Sequence, residues 1–248
     1  MSYRPTRATA GSDLMQAAPL TVILIAINVV VYALQARSSN VIVVMNSGTT
    51  GGSQPVQGSI DAHFGLWGPM VSSGEWWRLI TSGFLHASIL HIGSNMLALF
   101  FIGRALEPAL GSLRLGVIYF VSLAAGSLGV IILEPNALSI GASGAIFGLM
   151  GAFVIFARSR GISVMQSGIG PVILLNLAIT FTIPGISVGG HVGGLVGGAA
   201  IGAAVVELDR NRRFRGANRR TIVAVGATAF VALLVAAFAI ARSKYPLV

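Results

Sequence analysis

The chain has 248 residues, of which 54% are hydrophobic and only 9% charged, with a formal charge of +9 and a mean hydropathy of +0.84. That balance excludes an ordinary water-soluble domain, in which about 25% of residues are charged, and calls for several apolar stretches of about 20 residues that cross a bilayer. Cysteine is absent, which excludes disulfides and thiol chemistry.

Residues 1–18 are polar, carry Arg4 and Arg7, and read as a short cytoplasmic tail. Pro19 to Gln35 is the first apolar span. It has no small-x-small cleavage site before Arg37, so it is expected to be a retained anchor rather than a signal peptide. A long outer loop, 37–87, follows. Its Gly/Ser/Thr/Gln-rich part from Asn46 to Ser59 offers nothing to bury. Its later part sets Phe64, Trp67, Trp76 and Trp77 beside Glu75 and Arg78, the amphipathic mixture of a segment at headgroup level. The second span is expected from Ser88 to Leu106, the third from Leu113 to Leu133 and the fourth from Ser143 to Ala157. The fifth runs from Gly170 to Ile186 and the sixth from Val188 to Val206. A basic linker, 207–220, then leads to a seventh span within 221–242 and an outer tail, 243–248. The fold class is therefore an all-α membrane protein, a polytopic helical bundle.

The basic residues set its orientation. With the N-terminus cytoplasmic, the inner segments hold Arg4, Arg7, Arg104, Arg114, Arg158, Arg160, Arg210, Arg212, Arg213, Arg215, Arg219 and Arg220, twelve of the sixteen. Only Arg37, Arg78, Arg242 and Lys244 fall outside. This positive-inside asymmetry puts the C-terminus outside. The cluster from Arg210 to Arg220 reads as a topological anchor next to anionic lipid, not as a nucleic-acid surface, because no aromatic interleaving accompanies it.

Polar side chains inside spans are costly and mark function. Three clusters qualify: His86, His91 and Asn95 entering the second span, Ser143 opening the fourth, and His191 opening the sixth. All three spans run from outside to inside. A rise of about 1.5 Å per residue places Ser143 about 22 Å above Arg158, His191 about 24 Å above Glu207 and His91 about 20 Å above Arg104. They share one depth, in the outer third of a hydrocarbon core about 30 Å thick. Gly194, Gly198 and Gly202 form a small-residue stripe on the face of His191, and Gly144, Gly148 and Gly151 form one on the fourth span. Such stripes let two helix backbones approach closely enough for a serine and a histidine to meet.

Ser143 lies between Gly141 and Gly144 where a polar turn becomes an apolar helix. Its backbone N–H is then one of the unpaired donors of a helix start. His91 and Asn95 are four apart on one helical face and could supply two further donors to a developing oxyanion. The acids stand apart: Asp13, Asp61 and Asp209 lie outside the spans, Glu75 and Glu134 in outer connections, and Glu107 and Glu207 at inner ends. None is placed to orient His191, so Ser/His chemistry here would be a dyad with its imidazole set by packing, and Phe147 is the expected stacking surface. No metal site or cofactor is expected, because no intramembrane carboxylate or cysteine completes a shell.

These residues resemble the rhomboid family of intramembrane serine proteases. Four motifs occur in order: Trp77-Arg78, His86-x4-His91-x3-Asn95, Gly141-x-Ser143-Gly144 and His191-x2-Gly194-x3-Gly198. The resemblance implies a six-span core, 19–206, with one additional C-terminal span. It implies Ser143 as nucleophile, His191 as general base, and His91 with Asn95 lining the oxyanion hole. Trp77 and Arg78 would brace the outer loop, and Glu107 would tie loop structure at the inner side. The substrates would be transmembrane segments of other proteins in a bacterial plasma membrane. Gly190 stands where alanine is common in the family. The alternative is a rhomboid-like protein that binds transmembrane helices without cleaving them. A transporter is disfavoured because no broken-helix pattern repeats in matching halves.

Overall fold

The structure, a computed structural model, describes residues 18–38, 60–210 and 219–246. The expected tail before Ala18, the Gly/Ser-rich stretch of the long loop and the linker arginines Arg212, Arg213 and Arg215 lie outside the described residues. The helices in chain order are α1 (Pro19–Ser38), α2 (Ile60–Phe64), α3 (Gly68–Ser72), α4 (Arg78–Thr81), α5 (Ile89–Leu110), α6 (Ser112–Leu133), α7 (Ser143–Ser159), α8 (Ile169–Thr182), α9 (Val188–Arg210) and α10 (Arg219–Lys244). A 3-10 turn at Ser82–Phe84 joins α4 to the approach of α5. Among the described residues, five helices, α1, α5, α6, α9 and α10, are long and apolar enough to cross a bilayer. Two shorter apolar helices, α7 with 17 residues and α8 with 14, complete the bundle. The molecule is an integral, multi-pass, all-α membrane protein.

Several helix ends differ from those expected, each for a physical reason. The second span does not stop at Leu106, because the carboxylate that would argue for an end is fully engaged. Glu107 Oε1 accepts from Leu20 N and Ser112 Oγ, both at 2.7 Å, and Oε2 accepts from Thr21 N at 2.8 Å and Thr21 Oγ1 at 2.6 Å. The helix ends instead at Gly111, whose φ of +81° suits glycine. The fifth span stops at Thr182, short of Ile186. Ile183 precedes Pro184, and the proline ring drives the residue before it out of the helical region, here to φ −99° and ψ 118°. The sixth continues past Val206 to Arg210, so 207–210 are helix rather than linker. There Asp209 pairs with Arg114 of α6 at 2.8 Å. The seventh spans Arg219–Lys244, because Arg242 Nη1 donates to Ser72 O at 2.9 Å and Lys244 Nζ to Ile132 O at 2.7 Å. Charged ends that reach neighbouring carbonyls do not force the helix to stop.

Glycine decides how the central helices pack. α9 wedges between α6 and α7, and a Cβ on its glycines would strike backbone on both sides. Gly194 faces Gly144, Gly198 faces Gly148 and Gly202 faces Ala152, all on α7. The expected stripe is therefore the contact surface. A second stripe, Gly189, Gly193 and Gly197, faces Gly129 and Ala125 of α6. Lipid gives apolar helices little reason to associate, so close backbone approach supplies the dispersion contacts that hold them. Around this wedge a continuous apolar core includes Leu99, Ile102, Tyr119, Ile146 and Leu149.

Candidate active site

Ser143 is the first residue of α7, not its cap. Ala142 occupies the cap and offers no side-chain hydrogen bond, so the serine hydroxyl is free for another partner. The loop that delivers it is held at two points. Leu66 and Ser139 exchange backbone hydrogen bonds of 3.0 and 2.9 Å, and Gly141 N donates to Ser82 O at 2.9 Å. Gly141 has φ +134°, and a Cβ there would lie 2.9 Å from His91 Nε2. Both the conformation and the space require glycine.

The Trp77-Arg78 pair secures this loop from the far side. Arg78 is buried, donates to Gly65 O at 2.8 Å, and pairs with Glu75 at 2.5 Å. Trp77 Nε1 donates to His63 O at 3.4 Å. Arg78 thus fixes the residue next to Leu66, and Leu66 fixes Ser139 on the approach to Ser143.

α9 brings His191 to the serine. Its start is capped by a network across the chain: Ser187 Oγ accepts from Gly190 N at 2.9 Å and donates to Glu134 Oε2 at 2.5 Å, while Glu134 Oε1 accepts from Gly189 N at 3.1 Å. A carboxylate at a helix N-terminus satisfies orphan donors and complements the dipole. Glu134 therefore orients the helix that carries His191, although it does not touch the ring. His191 is 8% exposed, and its ring stacks on Phe147 with centroids 4.1 Å apart and planes at 15°. Its Nε2 lies 2.7 Å from Ser143 Oγ, and its Nδ1 lies 2.7 Å from Thr180 Oγ1. Packing is thus not the sole determinant of the imidazole's position: a hydroxyl on α8 holds it as well. Thr180 is not among the residues expected from the sequence; its signal is a polar residue one helical turn after Asn176 in a mostly apolar helix.

His91 also lies near the serine. Ala87 N donates to its Nδ1 at 3.3 Å, so in the neutral ring Nε2 carries the proton. A methyl built on Gly141 would lie 2.9 Å from that nitrogen and 3.6 Å from Ser143 Oγ, so both atoms border one small space. Asn95 sits one turn on, is buried, and has an Nδ2 with no hydrogen-bond partner among the described residues. His86 packs edge-on against His91, with centroids 5.0 Å apart. Its backbone is clamped by Gln35 of α1, which donates to His86 O at 3.3 Å and accepts from His86 N at 3.0 Å. The same amide donates to Asp61 at 2.5 Å. Burial raises the Asp61 carboxyl above its ordinary value, and the Gln35 hydrogen bond opposes that shift. Gln35 was not anticipated either, because its partners lie far along the chain.

Glu107 lies at the opposite end of the bundle. It accepts both leading N–H groups of α1 as well as Ser112, so it ties helix to helix rather than loop to loop. Among the described residues, no group of three or more His, Cys, Asp or Glu side chains is arranged to hold a metal ion.

Glycine-wedged apolar helices, with a serine and an imidazole meeting between two of them, define a polar site between the helices of a polytopic membrane bundle. The Rhomboid domain family model matches residues 73–208, more than half of the chain, and the chain belongs to the rhomboid family. It is similar to Rhomboid protease GluP of Bacillus subtilis, 38% identical over 125 residues, 49% of this chain and 24% of the relative. It is also similar to RHOMBOID-like protein 7 of Arabidopsis thaliana, 36% identical over 123 residues, 50% of this chain and 37% of the relative. RHOMBOID-like protein 1 of the same plant is 45% identical over 85 residues, 34% of this chain and 22% of the relative. The chain thus spans well under half the length of these relatives, which include both a protease and rhomboid-like proteins.

Proposed function

We propose that this protein is an intramembrane serine endopeptidase that hydrolyses peptide bonds in or beside transmembrane segments of other membrane proteins. The observation that carries the reading is the 2.7 Å approach of Ser143 Oγ to His191 Nε2, at a helix start whose hydroxyl has no capping duty. A base within about 2.6–3.2 Å of a serine hydroxyl is the geometry of an activated nucleophile.

The chemistry follows from the side chains. His191 Nε2 takes the Ser143 proton as Oγ attacks the scissile carbonyl carbon, and the carbonyl oxygen gains the negative charge. The Ser143 N–H, His91 Nε2–H and Asn95 Nδ2–H2 are the donors for that charge, each worth about 3–4 kcal/mol of transition-state stabilisation when well aimed. His191 then returns the proton to the leaving amine as the C–N bond breaks. Water, deprotonated by His191, attacks the acyl ester and restores the Ser143 hydroxyl. The unpaired Nδ2 of Asn95 supports this assignment, because a buried donor without an acceptor is costly unless something fills the place.

The site is reached from within the bilayer's outer leaflet. α7 has 17 residues, a length of about 25 Å against a hydrocarbon core of about 30 Å, so its leading serine falls below one surface. The distribution of twelve of sixteen basic residues supports a cytoplasmic N-terminus and a site nearer the external face. The partners are transmembrane protein substrates and the lipid itself, in the plasma membrane of a bacterial cell.

Purified protein in detergent should label at Ser143 with a fluorophosphonate, and should cleave a transmembrane peptide. Ser143→Ala and His191→Ala should each abolish both while leaving thermal unfolding intact. Equal cleavage by wild type and Ser143→Ala would refute the reading and favour a rhomboid-like binder of transmembrane helices.

A further inference from the structure

We infer that Thr180 is a positioning residue that fixes which nitrogen of His191 carries the proton, and so makes the imidazole a base toward Ser143. The inference rests on the proposed Ser143/His191 chemistry and adds a third member drawn from a different helix.

A neutral imidazole has one N–H and one lone-pair nitrogen, and which is which is set by the partner of each. A serine proton can be taken by Nε2 only if Nε2 holds the lone pair. With the proton on Nε2 instead, the ring donates to Ser143 Oγ and cannot accept from it. Something must therefore hold the proton on Nδ1.

Thr180 Oγ1 lies 2.7 Å from that nitrogen. A hydroxyl can donate or accept, and alone it would leave the tautomer undecided. The second contact decides it: Thr180 Oγ1 is also 2.8 Å from the carbonyl of Asn176, one turn earlier in α8. A carbonyl only accepts, so the single hydroxyl hydrogen points to Asn176. Toward His191 the oxygen presents lone pairs, and Nδ1 must carry the proton. Nε2 is then a lone pair aimed at Ser143 Oγ 2.7 Å away. The relay Asn176 O, Thr180 Oγ1–H, His191 Nδ1–H, Nε2, Ser143 Oγ–H has one hydrogen for every link.

Burial supports the assignment. Thr180 is 3% exposed, while its neighbour Phe181 is 65% exposed. The other buried residues of α8, Ile169, Gly170 and Ile173, are all near its start. The last turn of α8 is therefore turned inward at Thr180, onto the ring. When the imidazole gains a second proton in the transition state, Thr180 continues to accept from Nδ1–H without reorientation. A carboxylate in this place would carry a full charge into a buried, apolar setting, whereas a hydroxyl sets the same tautomer with none.

The test uses the full-length protein in detergent micelles, with Thr180→Val, which keeps the shape and removes the oxygen, and Thr180→Ser, which restores it. The readouts are the rate of fluorophosphonate labelling of Ser143, kcat and KM for a fluorogenic transmembrane peptide, and the unfolding temperature. Thr180→Val should lower the labelling rate and kcat about tenfold or more, with KM and unfolding temperature unchanged, and Thr180→Ser should return both rates to within about twofold of wild type. A folded Thr180→Val variant that labels at the wild-type rate overturns the inference. So does a loss that follows the unfolding temperature and is not restored by serine, since that is a packing role. Labelling that is present in wild type and absent in His191→Ala keeps the dyad standing in either case; labelling absent from wild type removes both. An independent measurement needs no variant at position 180. The chain has four histidines, so 15N-histidine spectra can be assigned by single replacements. The His191 ring should show a protonated Nδ1 and an unprotonated Nε2, and the opposite tautomer in wild type overturns the inference.

Discussion

Replacing Gly194 by alanine tests how closely the proposed chemistry depends on backbone contact between α7 and α9. A Cβ at position 194 would lie 2.7 Å from the carbonyl carbon of Gly144 and 3.0 Å from its Cα, and closer still to its oxygen. Ordinary carbon contacts begin at about 3.5 Å, so the helices must part by about 1 Å. Nothing in that contact can yield except backbone. Ser143 directly precedes Gly144, and His191 is one turn before Gly194, so the displacement falls on the two reacting side chains. Their 2.7 Å separation would open to about 3.5 Å, beyond the useful range of about 2.6–3.2 Å. A misplacement of this size costs about 100-fold in rate. Overpacking should also lower stability by about 1–3 kcal/mol. The assay is fluorophosphonate labelling and peptide cleavage in detergent, paired with thermal unfolding. Gly93→Ala is the control, since a Cβ there meets nothing within 4 Å. A folded Gly194→Ala protein that labels as fast as wild type would refute the claim that glycine contact sets the Ser143–His191 distance.

Three further outcomes are expected. Glu107→Ala removes the acceptor of Leu20 N, Thr21 N, Thr21 Oγ1 and Ser112 Oγ; with several charge-assisted bonds lost, it should destabilise by about 2–4 kcal/mol, read by thermal or chemical unfolding. Ser187→Ala breaks the cap of α9 and should cost about 0.5–2 kcal/mol of stability, with Glu134→Gln costing less because an amide oxygen still accepts. Phe147→Leu keeps an apolar side chain but loses the stacked ring, worth about 0.5–1.5 kcal/mol, so kcat should fall about two- to tenfold while KM holds.

The candidate site residues announce themselves along the chain by being polar where polarity is costly. Ser143, His191, His91 and Asn95 each interrupt an apolar span near one of its ends, and equal helical rise gives them one expected depth. The glycines on α7 and α9 were legible for the same reason: a residue with no side chain, repeated at helical spacing, leaves a track for another backbone. The order and class of the seven apolar helices follow from hydropathy, because a bilayer demands internal hydrogen bonding of every spanning segment, whereas the short loop helices α2, α3 and α4 do not.

The tertiary structure decided what hydropathy cannot encode. Whether Glu107 ends a helix depends on whether the start of α1, 86 residues earlier in the chain, arrives to donate to it. That Gln35 clamps His86, that Glu134 caps the helix of His191, and that Thr180 meets its ring are likewise contacts between segments with no shared local pattern. Periodicity reports the face a residue turns inward. It carries no information about which atom of another helix waits there, because that is set by how all the helices settle against one another at once.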